Sequence, residues 1–383
     1  MNHQTLALAF VYFFVILVLI PAFCGDKVFS LYYHGDSEIN LSIEKVKNKH
    51  RLARVDEYFK ELNPSVSLLY HETKINNNLE NLIVILAKKQ NNDYNVLSQL
   101  VTELDKNIQE DVDHKTGMMI CNISRSSYQE LDYVSMFYPV KQGRNSTSWK
   151  LFNPEEIIKH DFVECLSLAV NTTSAKYITI ISDRVVPYAN FLYNLNHIIH
   201  TKLENYMYFG ELYPKQNEPW LFLHLQEPVV FRKYTWSWTC LYELFMITVI
   251  GGVVFYLIFT LMDPIGQYSP SHNRLVITLF GALFFFTLAL IIGRPYITEL
   301  RRNAASLFRI YEAPEPVHFS GLNMPYTSAV MLVEHLSHLR CSVYVPFHEV
   351  LDQSINTLER PAYVVSPSLL RFVSPIIFDT NNL

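Results

Sequence analysis

The sequence has little charge and little glycine for its length. Only 17% of its 383 residues are charged, and 11 are glycine. It has no run rich in lysine or arginine, which argues against nucleic acid as a partner. It also lacks a P-loop, a GxGxxG fingerprint, a GxSxG elbow and paired CxxC motifs. The sequence therefore lacks the common motifs of nucleotide-binding proteins, α/β-hydrolases and zinc-binding proteins.

Half of the chain is hydrophobic, and three apolar runs stand out. Residues 6–23, 244–262 and 275–293 contain no charged residue. A bilayer core of about 30 Å takes about 20 helical residues, so the last two runs are predicted to be transmembrane helices. The linker between them is short and contains Pro264 and Pro270. We therefore expect a hairpin whose outer flanks lie on the same side of the membrane.

The first apolar run allows two interpretations. Residues 1–24 form either an uncleaved transmembrane anchor or a signal peptide, since Ala22 and Cys24 lie near a plausible cleavage point. The residues that precede the run contain no lysine or arginine. Because residues 6–23 are long for the apolar core of a signal peptide, we predict an uncleaved anchor.

Four N-x-S/T sequons predict the side of the membrane on which the rest of the chain lies. They occur between the first apolar run and the hairpin, at Asn40, Asn122, Asn145 and Asn171. We therefore predict that residues 25–241 are luminal and glycosylated at these positions. Because a hairpin returns the chain to its starting side, residues 294–383 are predicted to be luminal too.

The five cysteines fit this topology. Cys24 ends the first apolar run, and the predicted luminal parts contain Cys121, Cys165, Cys240 and Cys341. Disulfides form in that compartment. Four cysteines allow three pairings, and the residues alone do not choose among them.

The part of the chain before the hairpin alternates strand and helix patterns. Short apolar runs predict strands at residues 82–87, 118–123, 177–181 and 220–225. Helical spacing or a helix-start signal predicts helices at residues 52–62, 94–108, 153–169 and 189–200. After the hairpin, we predict helices at residues 328–339 and 350–358 and a strand at residues 362–365. This order predicts an α/β fold with a parallel central sheet, in which ligands bind at the carboxyl ends of the strands.

The first candidate site follows the predicted strand at residues 177–181. Ser182, Asp183 and Arg184 lie at its carboxyl end, and Lys88 follows the first predicted strand. Sugar transfer from a nucleotide donor requires the charge of the leaving diphosphate to be neutralised, usually by a divalent cation on carboxylates. Asp183 offers one carboxylate to a metal, and Arg184 offers a cation to phosphate directly. The simpler interpretation is an ordinary turn between a strand and a helix.

Other polar residues are weaker candidates. Glu349 and Asp352 belong to a late helical pattern, where either carboxylate suits a general base toward an acceptor hydroxyl. Two histidine pairs have helical spacing, His197 with His200 and His335 with His338. No third ligand lies at a usual spacing from either pair, so we do not expect them to bind a metal.

Several segments together resemble one family. They are LIVILAKK (82–89), MMICNIS (118–124), HDFVECLSLA (160–169), AKYITIISDRVVPYANF (175–191), GRPYITELRR (293–302), CSVYVPFHEVLDQSI (341–355) and AYVVSPSLL (362–370). They resemble the Golgi post-GPI-attachment glycosyltransferase family, also called the transmembrane protein 246 family. That family transfers N-acetylgalactosamine to the glycan of glycosylphosphatidylinositol (GPI).

The resemblance implies a fold, substrates and a location. The fold is a GT-A-type glycosyltransferase domain that a transmembrane hairpin interrupts, behind an N-terminal anchor. The donor is a UDP-sugar, the acceptor is a GPI-anchored protein or glycolipid, and Mn²⁺ is the expected cofactor. The protein is expected to be a multi-pass Golgi membrane protein with a luminal catalytic domain.

The resemblance also implies roles for single residues. Ser182, Asp183, Arg184 and Lys88 are the expected donor-binding residues, with Asp183 as the metal ligand. Glu349 lies beside the position of a late family acid and is our candidate acid or base. The matched Cys121 and Cys165 are the expected disulfide pair.

The sequence also departs from the family pattern at positions that bear on catalysis. Ser182 and Arg184 replace two acids, while Ser366 and Ser368 replace a glutamate and an asparagine. We therefore predict a divergent glycosyltransferase of GPI glycans. A metal-independent enzyme that uses Arg184 fits these departures, and so does an enzyme for another donor or acceptor. The alternative is a non-catalytic pseudo-glycosyltransferase that binds a glycolipid or a partner enzyme.

Overall fold

The computed structural model describes residues 10, 12–21, 38–75, 79–89, 94–111, 115–124, 127–143, 153–204, 220–228, 234, 238–262, 271–313 and 319–373. Its residues group into two compact units. One unit, called the body below, comprises Glu44–Pro228 and Ala304–Leu383. The other, called the hairpin unit, comprises Met1–Ile43 and Val229–Asn303.

The body is built on strands and helices that alternate along much of the chain. The strands are β1 (Asn81–Ala87), β2 (Thr116–Asn122), β3 (Val140–Gln142), β4 (Tyr177–Ser182), β5 (Val185–Pro187), β6 (Leu223–His224), β7 (Arg309–Glu312), β8 (Gly321–Pro325), β9 (Tyr363–Ser366) and β10 (Leu370–Phe372). The helices are α1 (Glu38–Glu61), which begins in the other unit, α2 (Pro64–Ile75), α3 (Val96–Glu110), α4 (Gln129–Val134), α5 (Pro154–Thr172), α6 (Phe191–Ile198), α10 (Tyr326–His338) and α11 (Phe347–Leu358). The hairpin unit contributes α7 (Trp238–Met262), α8 (Ser271–Ile292) and α9 (Arg294–Thr298).

Eight of the strands form one sheet, in the order β3-β2-β1-β4-β8-β6-β9-β7. Strands β1 to β4 are mutually parallel, whereas β8 is antiparallel to both β4 and β6. Strand β6 is parallel to β9, so both run in the direction of β4. Strands from before and after the two apolar helices therefore build one sheet. The predicted α/β fold with a largely parallel sheet is confirmed, while the GT-A subtype stays a prediction.

The apolar pattern of β1 explains its place near the centre of the sheet. All seven of its residues are buried. Ile83 and Ile85 pack into one hydrophobic cluster, and Leu82 and Val84 pack into the other. Successive side chains of a strand point to opposite faces, so an apolar run without alternation needs cover on both sides. Helices on both faces of the sheet supply that cover.

A disulfide fixes one helix to the sheet. Cys121 in β2 is bonded to Cys165 in α5, with a Cα–Cα distance of 5.9 Å. The pairing that the family resemblance implies is confirmed. Cys240 and Cys341 are buried, and neither forms a disulfide within the described residues.

The start of α5 follows the helix-start signal in the sequence. The Asn153 side chain accepts a hydrogen bond from the Glu156 backbone N–H at 2.7 Å, and Pro154 occupies the first turn. The Glu155 carboxylate accepts the Phe347 backbone N–H at 2.9 Å, which ties α5 to the start of α11. The helix is therefore capped by its own residues and also holds a later segment in place.

The hairpin unit contains two helices that are long and apolar enough to cross a membrane, at Cys240–Ile258 and Leu275–Ile292. Only 22% and 17% of these segments is buried, so most of their apolar surface faces outward. Arg294 after the second helix donates to the Glu243 carboxylate at the start of the first, at 2.8 Å. This contact brings the two outer flanks together, as the hairpin prediction requires.

The N-terminal run also contacts the hairpin. The Tyr12 hydroxyl and Thr287 Oγ1 are 3.0 Å apart, and the Tyr12 ring packs edge-on against Phe280 and Phe284. Whether residues 1–24 cross a membrane stays a prediction.

Several sequence-based boundaries need correction. The helix predicted at residues 52–62 is the end of α1, which begins at Glu38. The strand predicted at residues 220–225 pairs only over Leu223–His224. Strands β7 and β8 were not predicted, although β8 lies near the middle of the sheet.

Candidate functional site

The carboxyl ends of β1, β2 and β4 meet at one edge of the sheet, called the carboxyl edge below. Leu86 in β1 pairs with Ser182 in β4, and Ala87 pairs with Asn122 in β2. The residues that directly follow these strands therefore lie side by side. Open parallel sheets bind ligands at such an edge.

Asp183 links two of these strand ends. Its side chain is only 3% exposed, and its Oδ2 accepts the Lys88 backbone N–H at 2.8 Å. Its own backbone N–H donates to the Leu86 carbonyl at 3.3 Å. A buried carboxylate requires such partners because burying an unsatisfied charge is costly. Asp183 therefore fixes the path of the chain that leaves β1.

Two cationic side chains flank this buried carboxylate. Lys88 and Arg184 are exposed, and each lies two residues beyond the Leu86–Ser182 pair. Neighbouring strands are about 4.8 Å apart. The positive charges of both residues are thus available at the carboxyl edge. Asp183 fixes the backbone of Lys88 there.

The segment after β2 is held by a chain of hydrogen bonds. The Ser124 hydroxyl accepts the Lys89 backbone N–H at 2.6 Å. The Asn122 side chain accepts the Ser124 backbone N–H at 2.9 Å and donates to Gln142 Oε1 at 2.8 Å. The segments that follow β1, β2 and β3 are therefore connected through side chains. Preorganised backbone of this kind suits the recognition of a charged ligand.

These contacts bear on the predicted glycosylation of Asn122. Its side chain is 5% exposed, and Nδ2, the atom to which a glycan would be attached, donates to Gln142. The folded position therefore argues against a glycan at Asn122. Asn171 is exposed in the last turn of α5, Asn40 lies in α1, and Asn145 lies outside the described residues.

Tyr128 approaches Asp183 from the start of α4. Burial and the negative charge of Asp183 raise the pKa of the Tyr128 hydroxyl. That hydroxyl is buried and has no hydrogen-bond partner among the described residues. A buried hydroxyl near the Asp183 carboxylate that has no partner among the described residues is available to donate a hydrogen bond to a ligand at this edge. Tyr128 was not among the predicted site residues, because nothing in its local sequence pattern places it at this edge.

A second buried carboxylate lies further along the carboxyl edge. Glu227 follows β6 and is 4% exposed. Its Oε1 accepts the Ser366 hydroxyl at 3.0 Å, and its backbone N–H donates to Ser368 Oγ at 2.8 Å. Glu227 was not among the predicted site residues, although it lies two residues after the predicted strand at residues 220–225, as Asp183 does after the strand at residues 177–181.

A two-stranded ribbon connects the two parts of the edge. Strand β5 follows the Asp183-Arg184 turn and pairs with β10, which follows Ser368. The Leu369 backbone N–H donates to the Leu225 carbonyl at 2.7 Å, and the Leu369 carbonyl accepts the Tyr188 N–H at 3.1 Å. Asp183 lies two residues before β5, and the Glu227 backbone is hydrogen-bonded to Ser368, two residues before β10. The ribbon therefore joins the two segments that carry the buried carboxylates.

The residues at Asp183 do not fit a manganese site. Mn²⁺ takes several oxygen ligands from carboxylates, carbonyls and water. Here one carboxylate is present, its Oδ2 is engaged with the Lys88 backbone, and the next residue is the cation Arg184. Within the described residues, no group of three His, Cys, Asp or Glu residues is arranged to hold a metal ion. We therefore assign no step to a bound metal.

The remaining candidate residues lie elsewhere. Glu349 is exposed in the first turn of α11, and no hydrogen bond or ion pair joins it to Asp183 within the described residues. Asp352 is buried one turn later. The two histidine pairs lie on α10 and on the segment from α6 to Glu204. Of the predicted site residues, the structure therefore brings together Lys88, Ser182, Asp183 and Arg184.

The sequence matches a known protein family over most of its length. The model of the family described as GPI-N-acetylgalactosamine transferase PGAP4 matches residues 81–371. The match begins at the first residue of β1 and ends within β10, so it covers every strand that contributes to the carboxyl edge. Since it extends over well more than half of the chain, the protein belongs to the GPI-N-acetylgalactosamine transferase PGAP4 family of glycosyltransferases.

Proposed function

We propose that the protein transfers N-acetylgalactosamine from a UDP-sugar to the glycan of a GPI anchor, at the luminal face of the Golgi membrane. The family match carries this proposal. The two apolar helices support it, because an enzyme that acts on a membrane-anchored acceptor gains from being held at the same membrane. The buried, hydrogen-bonded Asp183 supports the carboxyl edge as the place of transfer.

In this proposal, the donor diphosphate lies over the ends of β1 and β4. Lys88 and Arg184 neutralise the negative charge that grows on the diphosphate as the bond to the sugar breaks. Arg184 suits this role because its guanidinium pairs with phosphate oxygens bidentately. The Tyr128 hydroxyl donates a further hydrogen bond. Asp183 acts through the backbone of Lys88, which it holds in position.

The reaction is proposed to proceed without a metal at Asp183. A single carboxylate that is already engaged with a backbone N–H leaves the cations Lys88 and Arg184 to balance the diphosphate. Cationic side chains can replace a divalent ion in this role, since both stabilise the charge of the leaving group.

A non-catalytic protein that binds a GPI glycolipid or a partner enzyme is the second candidate. One observation favours it. Ser182 and Arg184 stand where two acids are expected from the family resemblance, and the remaining carboxylate of Asp183 is used within the protein.

The test is a transfer assay with the full-length protein in detergent. The protein is incubated with a GPI glycan and with UDP-N-acetylgalactosamine, UDP-N-acetylglucosamine or UDP-galactose in separate reactions. Mass spectrometry of the glycan and release of UDP report transfer. We expect a product with UDP-N-acetylgalactosamine, at a rate that EDTA leaves unchanged.

The outcomes separate the candidates. Binding of the GPI glycan without transfer from any donor overturns the enzymatic proposal and supports the non-catalytic candidate. A product only with another donor corrects the sugar. Loss of activity in EDTA that Mn²⁺ restores contradicts the metal-independent part of the proposal.

A further inference from the structure

Glu227 is a buried acid at the carboxyl edge that the donor side of the proposed reaction does not use. It follows β6, which runs in the direction of β4, so its position on β6 corresponds to that of Asp183 on β4. The side chain is 4% exposed. A carboxylate is rarely buried to this extent unless polar partners stabilise its charge.

Two serines from the neighbouring strand end fix Glu227. The Ser366 hydroxyl, which is fully buried, donates to Glu227 Oε1 at 3.0 Å. Ser368 Oγ accepts the Glu227 backbone N–H at 2.8 Å. One serine therefore sets the orientation of the carboxylate, and the other sets the position of its backbone. A base that must meet a reacting hydroxyl needs positioning of this kind.

The distance from the donor side suits a transferred sugar. One strand, β8, lies between β4 and β6 in the sheet. Two strand spacings place Glu227 about 10 Å along the edge from the end of β4. A separation of about 10 Å matches the length of one sugar ring with its two reacting bonds, so in this inference the diphosphate lies on the β4 side and an acceptor hydroxyl on the β6 side.

The ribbon keeps this spacing constant. Strand β10 packs closely over the start of β8, because a Cβ placed on Gly321 would lie 2.3 Å from Leu370 Cδ1. The Leu225 backbone N–H donates to the Gly321 carbonyl at 3.0 Å, and the Ser182 N–H donates to the Ser320 carbonyl at 3.0 Å. The ends of β4, β8 and β6 are therefore held in one rigid arrangement.

We propose that Glu227 is the general base that accepts the proton of the acceptor hydroxyl, an inference that rests on the proposed function. The hydroxyl oxygen forms the new bond to the anomeric carbon of the donor sugar, while the bond from that carbon to the diphosphate oxygen breaks. The bonding pair leaves with UDP, and the proton moves to the Glu227 carboxylate, which later releases it to solvent. Ser366 is a positioning residue in this step.

The experiment compares Glu227→Gln, Glu227→Asp and Ser366→Ala with the wild-type protein. Glu334→Gln, an exposed acid on α10, is the matched control. Glutamine keeps the shape of the side chain and an acceptor for Ser366, but it cannot take a proton. We expect kcat of Glu227→Gln to fall by about 100-fold or more. The KM for the donor and the affinity for UDP, measured by calorimetry, should stay within about twofold, whereas Glu227→Asp should recover part of kcat.

Each result decides the proposal. A Glu227→Gln protein with normal kcat overturns it, and so does one that loses UDP affinity in proportion to kcat, since that pattern indicates a donor-binding or structural role. If Glu227→Gln does not fold, Ser366→Ala decides, because it keeps the carboxylate; an unchanged kcat in that variant overturns the proposal. A wild-type protein without transfer activity overturns the proposed function and this inference with it.

Discussion

Asp105 is the centre of a buried polar network in the body, and its replacement by asparagine gives the sharpest stability prediction. Asp105 and His71 are each 1% exposed, with His71 Nε2 3.2 Å from Asp105 Oδ1. Asp105 Oδ2 accepts the hydroxyls of Tyr58 at 2.9 Å and Tyr138 at 2.7 Å. The Asp105 carboxylate thus joins α3 to α1, to α2 and to the segment after α4.

The cost of Asp105→Asn follows from these contacts. Asparagine offers one acceptor oxygen where aspartate offers two, so either His71 or the two tyrosine hydroxyls lose their partner. Losing a buried hydrogen bond to a charged group costs about 1.5–3 kcal/mol. In a domain of this size, each kcal/mol lowers the unfolding midpoint by about 2–4 °C. The expected decrease is therefore roughly 3–12 °C.

Thermal unfolding of the purified protein in detergent, followed by tryptophan fluorescence, measures this decrease. Glu110→Gln is the matched control on the same helix. Glu110 is exposed at the last residue of α3, and substitutions of exposed residues usually change the unfolding free energy by no more than about 0.5 kcal/mol. A midpoint for Asp105→Asn within about 2 °C of the control would refute the network as a source of stability.

The remaining predictions concern pH, the disulfide and the hairpin. Burial alone raises the pKa of Asp105, but His71, Tyr138 and Tyr58 outweigh burial and lower it. The stability from Asp105 is therefore present above the unfolded pKa of about 4 and is lost as pH falls through the lower folded value. Replacing Cys121 and Cys165 by serine opens a loop with a sequence separation of 44 and should cost about 4 kcal/mol of unfolding free energy. In the hairpin unit, a Cβ on Gly251 would lie 2.4 Å from the side chain of Phe285, so Gly251→Val should cost about 1–3 kcal/mol.

Three measurements check these predictions. The difference in unfolding midpoint between wild type and Asp105→Asn should narrow as the pH falls below about 4, and a difference that stays constant from about pH 7 to pH 3 would contradict the first prediction. Wild type beside the variant with both Cys121→Ser and Cys165→Ser reports the disulfide, and equal midpoints would contradict the second. For Gly251→Val, an unchanged midpoint in detergent would show that α7 and α8 do not pack as closely as described.

The apolar runs predicted the central part of the sheet well. Strands β1, β2 and β4 are buried on both faces, so their sequences carry an uninterrupted apolar signal. Strand β8 does not, because its central residue is Asn323. That side chain is buried and donates to Thr179 Oγ1 at 2.8 Å, and Thr179 in turn donates to Asn81 Oδ1 at 2.8 Å. A polar ladder across three strands replaces the apolar pattern, and it becomes visible only when the strands are paired.

The candidate site was predictable only in part, because several of its contacts join residues that no sequence pattern connects. Asp183 is recognisable because it directly follows an apolar strand. Its partner, the backbone N–H of Lys88, has no signature in the sequence, since every residue except proline carries such a group. The contact of Glu227 with Ser366 joins residues far apart in the chain and depends on the pairing of β6 with β9. Glu349 lies beside the position of a family acid within the matched segment at residues 341–355, and such a match does not determine its distance from Asp183.

The central claim is that sugar transfer takes place at the carboxyl edge around Asp183. The most direct measurement is kcat/KM of Asp183→Ala beside wild type and Glu334→Gln, with unfolding midpoints recorded for all three. Alanine cannot accept the Lys88 backbone N–H, so the segment that carries this cation is released. We predict a loss of about 100-fold, since displacing a reacting group by about 1 Å has that effect. Wild-type turnover by a folded Asp183→Ala protein would contradict the claim.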